Sequence, residues 1–153
     1  MIRRALTTLA LITAVHGSVF AQEEVIESEK VDHSPAVAAA RAQAATFEKD
    51  GFIFREDHWE STITEEKGKG VRIQLFKGHE YRICVAAAPG TKAKIKSHVV
   101  GADMKPIENE NVTSEDGSSV NLRVSPDKTG VHVILVSQKG APEVQCALVI
   151  GYR

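Results

Sequence analysis

The sequence is poor in aromatic residues and carries no large charge of either sign. Aromatic side chains make up 5% of its 153 residues, with one Trp and two Tyr, and 19 Lys and Arg oppose 20 Asp and Glu. A chain without a basic excess creates no field that draws it to nucleic acid, so we expect no nucleic-acid partner. Its length and composition are typical of one globular domain.

The sequence also lacks the short motifs of common catalytic and metal centres. It contains no CxxC pair, no HxH or HExxH spacing and no GxSxG turn, so we predict no metal centre, no cofactor and no catalytic activity. Glu56, Asp57 and Glu60 flank Trp59, and this group leaves one alternative, a small cell-envelope hydrolase with a site built from loops.

The N-terminus has the pattern of an export signal. A basic start (MIRR) is followed by an uncharged, largely apolar run over residues 5–15 and by Val19-Phe20-Ala21. This pattern predicts a signal peptide over residues 1–21, and therefore a periplasmic or secreted protein. A membrane span needs roughly 20 apolar residues, so the run predicts no span. Residues 22–33 are acidic and predict a flexible leader.

A single helix is expected next. Ser34 is a favoured N-cap, and Pro35 suits the first helical position. Residues 36–50 are rich in alanine, and Gly51 provides a stop. One apolar face at helical spacing is formed by Val37, Ala40, Ala44 and Phe47.

From Phe52 onward, apolar and polar residues alternate with a period of two. Seven or eight short alternating runs are separated by turns, and no second helix interrupts them. Residues 101–117 are acidic and are predicted to form a loop. The pattern predicts one domain over residues 34–153, an antiparallel, jelly-roll-like β-sandwich with one N-terminal helix.

Three segments carry a family resemblance. Residues 77–84 (KGHEYRIC), 99–107 (VVGADMKPI) and 129–136 (TGVHVILV) resemble strands of bacterial pre-peptidase C-terminal-like domains. The resemblance implies a sandwich that serves as an accessory module rather than a catalyst. Some relatives carry acidic residues after the position of Cys84 and bind calcium there. This chain has Val and Ala at residues 85–88 instead, and His132 where Tyr is common.

The two cysteines, Cys84 and Cys146, are an even number in an exported protein, which favours a disulfide between them. A bridge requires both side chains on the same side of neighbouring strands. Along its predicted strand, the Cys84 side chain points to the face opposite that of Ile83. The Cys146 side chain points to the same face of its own predicted strand as Val144. Two buried free thiols remain the alternative.

The predicted loop contains hard oxygen donors of the kind that calcium prefers. They do not follow the DxDxDG spacing, so the pattern favours a solvated acidic loop, and calcium binding stays open. The donors are Asp103, Glu108, Asn109, Glu110, Asn111 and Asp116.

The most distinctive surface feature is a row of basic residues at a spacing of two. Lys92, Lys94, Lys96 and His98 would point to one side of one strand, where an anionic envelope glycan or a protein partner could bind. The alternative is that lysines on an edge strand prevent pairing with other strands. The sequence thus predicts an exported, non-catalytic binding or structural module of the bacterial envelope or extracellular space.

Overall fold

The computed structural model describes residues 32–153, so the predicted signal peptide and leader residues 22–31 lie outside it. The described residues form one unit, Asp32–Arg153. Its elements are α1 (Pro35–Glu48), β1 (Ile53–Phe54), β2 (Trp59–Thr64), β3 (Lys69–Leu75), β4 (Tyr81–Ala87), β5 (Lys94–Gly101), β6 (Glu110–Thr113), β7 (Ser119–Val124), β8 (Gly130–Lys139) and β9 (Glu143–Tyr152).

The strands form two sheets, and every pairing is antiparallel. One sheet has the order β1-β9-β4-β7-β6, with β2 also paired to β9, and the other has the order β3-β8-β5. Inward side chains of both sheets, such as Ile83, Leu122 and Ile134, are fully buried in a common core. The predicted sandwich with one helix is therefore confirmed.

Helix α1 begins where its capping residues predict. The Ser34 hydroxyl accepts a hydrogen bond from the Val37 amide at 3.2 Å, and Pro35 opens the helix. The chain turns away at Gly51, whose φ of +86° is a left-handed conformation that glycine adopts without strain. The small buried side chains of α1 pack closely on the outer face of the six-stranded sheet, in a cluster formed by Ala36, Val37, Ala40, Ala44, Cys84, Ala86, Ala147 and Val149.

The predicted disulfide between Cys84 and Cys146 is not formed, and both cysteines are free and buried. In the β4–β9 register Cys146 lies opposite Ala87, three residues from Cys84. Successive side chains on a strand point to opposite faces, so this odd offset places the two thiols on opposite sides of the sheet. Cys84 packs under α1, and Cys146 packs in the core between the sheets. The alternative of two buried thiols is the correct one.

The segment predicted as a loop contains a strand. The four residues of β6 are all exposed and therefore show no alternation that a sequence pattern could reveal. The strand forms because it pairs with β7, which places Val112 opposite Asn121.

Candidate functional site

The two sheets differ in what covers their outer faces. The six-stranded sheet carries α1, whereas no helix lies over the three-stranded sheet among residues 32–153. We call the outward side chains of β3, β5 and β8 the cationic face, because four of them are Arg72, Lys94, Lys96 and Lys139 and none is Asp or Glu. The full set is Gly70, Arg72, Gln74, Lys94, Lys96, His98, Val100, Val131, Val133, Leu135, Ser137 and Lys139.

All members of the predicted basic row are exposed. Lys94, Lys96 and His98 alternate with buried residues along β5, and Lys92 lies just before the strand. The structure adds Lys139, opposite Lys94 in the β5–β8 register.

Arg72 joins the same face from β3, which pairs with the other side of β8. Sequence reasoning missed Arg72 and Lys139 because they come from strands far away in the chain. Only the strand order and register bring them together, and no local signal marks them.

This concentration of positive charge is unfavourable for folding. Like charges directly opposite each other on neighbouring strands are destabilising, and Lys94 and Lys139 occupy such positions. The Lys94 ammonium donates a hydrogen bond to the Asp116 carbonyl at the margin of the face. The other basic side chains, Arg72, Lys96 and Lys139, form no ion pair with any described residue. Their charges are therefore available to an external anion.

Two acidic groups, Asp116 and Glu65, lie in turns at the margin of the face. A hydrogen bond from the Ser118 amide, together with bonds from the hydroxyls of Ser114 and Ser118, lowers the pKa of Asp116 to about 2. Glu65 accepts a hydrogen bond from the Gly140 amide at 3.2 Å. The Asp116 carboxylate is bound within its own turn, and the Glu65 carboxylate is bound to the turn between β8 and β9.

The centre of the cationic face is apolar. Val133 and Leu135 are partly exposed in the middle strand β8, and Val131 is 47% exposed at its start. The face thus combines charged positions on its two outer strands, and at the end of β8, with an apolar strip along the rest of β8.

The edge of β5 that faces away from β8 bears on one explanation of its lysines, protection of the edge against pairing with other strands. This edge is already covered, because the Ile95 amide donates to Gly117, the Ile107 amide donates to Val99, and the Asn111 side chain donates to the Ser97 carbonyl. Another strand has little room to pair there, so protection of the edge does not require lysines. The lysines moreover project from the face of the sheet rather than from its edge.

The other candidate groups do not converge. Asp103 accepts from the Lys105 amide, Asp116 caps its own turn, and Glu110 pairs with Arg123 at 3.5 Å. Within Asp32–Arg153, no group of three or more His, Cys, Asp or Glu could hold a metal ion. Asp103, Glu110 and Asp116 of the acidic loop thus have separate local partners.

The two thiols are poorly suited to nucleophilic chemistry. Burial raises the pKa of Cys84 to about 12 and that of Cys146 to about 11. Both side chains therefore remain protonated at neutral pH, and a protonated thiol is a weak nucleophile.

The comparisons with known proteins leave the family open. No protein-family model matches the chain, and no curated protein matches it. Among the described residues, none of the helices has the length and apolar character needed to cross a membrane.

Proposed function

We propose that this protein is an exported, non-catalytic binding module whose cationic face binds an anionic polymer of the cell envelope or extracellular space. The observation that carries the proposal is the cationic face itself, which has four basic residues, no acidic residue and, within residues 32–153, no covering helix. The export pattern over residues 1–21 supports the location. The resemblance to pre-peptidase C-terminal-like domains supports an accessory role.

A linear polymer suits the geometry better than a compact ligand. Outward side chains on one strand repeat about every 6.7 Å, so β5 presents a regular row of positive groups rather than a pocket. Each exposed charge contact contributes only about 0.2–1 kcal/mol. Affinity would therefore come from several contacts along the polymer, and salt would weaken it.

The test is calorimetric titration of the purified protein with a linear polyuronate, with a neutral glucan of similar length as the control ligand. The test variant is Lys94→Gln/Lys96→Gln/Lys139→Gln. Its matched control, Lys49→Gln/Lys77→Gln/Lys128→Gln, removes the same charge from exposed positions elsewhere.

Loss of three contacts should weaken polyuronate binding roughly three- to a hundredfold, while the control variant binds like the unmodified protein. The glucan should not bind. Equal losses in the two variants would show that only net charge matters, and binding that resists salt would also contradict the proposal.

A further inference from the structure

The free edge of β3 differs from the free edge of β5. Strand β3 (Lys69–Leu75) pairs only with β8, and its residues form no other backbone hydrogen bond with the described part of the chain. Among the described residues, its second edge thus presents unpaired amide and carbonyl groups at every other residue, Gly70, Arg72 and Gln74. Such an edge is a template for an added strand.

Two adjoining cavities lie beside this edge, between β3 and the six-stranded sheet. Their volumes are about 270 and 280 Å³. They share Arg55, Ile73, Gln74 and Ile150, so together they form one groove, which we call the edge groove.

One side of the groove is formed by the segment between β1 and β2, which contributes Arg55, Asp57 and His58 to its lining. Both strands pair with β9, but residues 55–58 belong to neither. Arg41 on α1 holds this segment in place and donates to the carbonyls of Arg55, at 2.6 Å, Glu56 and Asp57. The rim of the groove is therefore formed before any ligand arrives.

The aromatic residues that combine an apolar ring with a polar group are concentrated here. Trp59 lines one cavity, and Tyr81 and Tyr152 line the other. They are the only Trp and the only two Tyr in the sequence. Side chains of this kind give large contact areas at binding sites.

The spacing of the cavities matches an extended peptide. Residues 71–74 of the chain line one cavity, and residues 73–76 line the other, so their centres are offset by two residues. Alternate side chains of a strand are about 6.7 Å apart, so residues i and i+2 of an added strand would enter the two cavities. Residue i+1 would point outward beside Arg72 on the cationic face.

The basic residues beside the groove favour an acidic residue at the middle position of such a peptide. Arg55 is already paired with Asp57 through two hydrogen bonds of 2.7 and 2.8 Å. Arg72 forms no ion pair with any described residue and is exposed. We propose that the edge groove binds an extended peptide segment of a protein partner, which adds as a strand to β3 and carries an apolar–acidic–apolar sequence.

Amide NMR spectra of the ¹⁵N-labelled protein test this proposal, with a capped Thr-Val-Glu-Val-Thr peptide as the probe. Two control peptides carry Lys in place of Glu, or an N-methylated Glu, which in an antiparallel addition lacks the hydrogen-bond donor that faces Arg72 of β3. Two protein variants accompany them, Arg72→Glu and the matched surface change Lys128→Glu.

We expect shift changes and slower hydrogen exchange at β3 amides, and little binding of the N-methylated peptide. Arg72→Glu should reverse the preference between the Glu and Lys peptides by roughly three- to tenfold in each direction, whereas Lys128→Glu should leave it unchanged.

Several results would overturn the proposal. They are an absence of change at β3 with the Glu peptide, equal binding of the N-methylated peptide, and an unaltered preference in a folded Arg72→Glu variant. Protection of the same amides by self-association without peptide would assign the edge to a second copy of this chain instead.

Discussion

Replacement of Arg41 tests the contact between α1 and the rim of the edge groove. Its guanidinium donates to the carbonyl oxygens of three successive residues, Arg55, Glu56 and Asp57. A hydrogen bond from a charged donor contributes about 1.5–3 kcal/mol to stability. The Arg41 bonds are partly exposed, so water can replace the donor, and each bond should contribute no more than the lower end of that range. Arg41→Ala should therefore lower the free energy of unfolding by about 1–3 kcal/mol.

The measurement is urea denaturation followed by circular dichroism, together with thermal melting. A domain of this size loses roughly 3–5 °C in melting temperature for each kcal/mol. Arg41→Lys should recover only part of the loss, because one ammonium cannot span the carbonyls that the planar guanidinium reaches. Lys128→Ala is the control, since its exposed side chain forms no hydrogen bond or ion pair with the described residues. The reasoning is refuted if Arg41→Ala and Lys128→Ala are equally stable.

Two further predictions concern buried thiols and an acidic group. Cys84 and Cys146 should react with a thiol reagent at pH 8 only after unfolding, and dithiothreitol should leave the melting temperature unchanged. A melting temperature that falls in dithiothreitol would contradict the assignment of the two thiols to opposite faces of the sheet. A hydrogen bond from Arg123, at 2.8 Å, holds the pKa of Glu80 below its usual value of 4.5. Ionised Glu80 therefore stabilises the folded state above pH 4.5, and this contribution to the free energy of unfolding is lost as the pH falls through the lowered pKa. In urea titrations from pH 7 to 2, Glu80→Gln should show a shallower acid-induced loss than the unmodified protein, and identical slopes would disprove this.

Much of the fold could be predicted because its signals are local. The Ser34-Pro35 pair and Gly51 mark the ends of α1 within three residues, and a period of two marks the strands that bury one face. The fully exposed β6 has no such signal. The sandwich architecture followed from the number of alternating runs, whereas the strand order did not.

The candidate site was only partly predictable for the same physical reason. The spacing of Lys92, Lys94 and Lys96 is visible along one strand, but the contributions of Arg72 and Lys139 depend on pairing with β8. The disulfide prediction failed at this level too. An even number of cysteines says nothing about which sheet faces they occupy. Only the β4–β9 register shows that Cys84 and Cys146 lie on opposite faces of the sheet.

Lysine footprinting tests the central claim most directly. The purified protein is acetylated briefly with and without the linear polyuronate, and mass spectrometry gives the modification rate of each lysine. We predict that the polymer protects Lys94, Lys96 and Lys139 and leaves Lys49 and Lys77 unchanged. Uniform protection of all five lysines, or protection confined to Lys49 and Lys77, would contradict the assignment of the cationic face as the binding site.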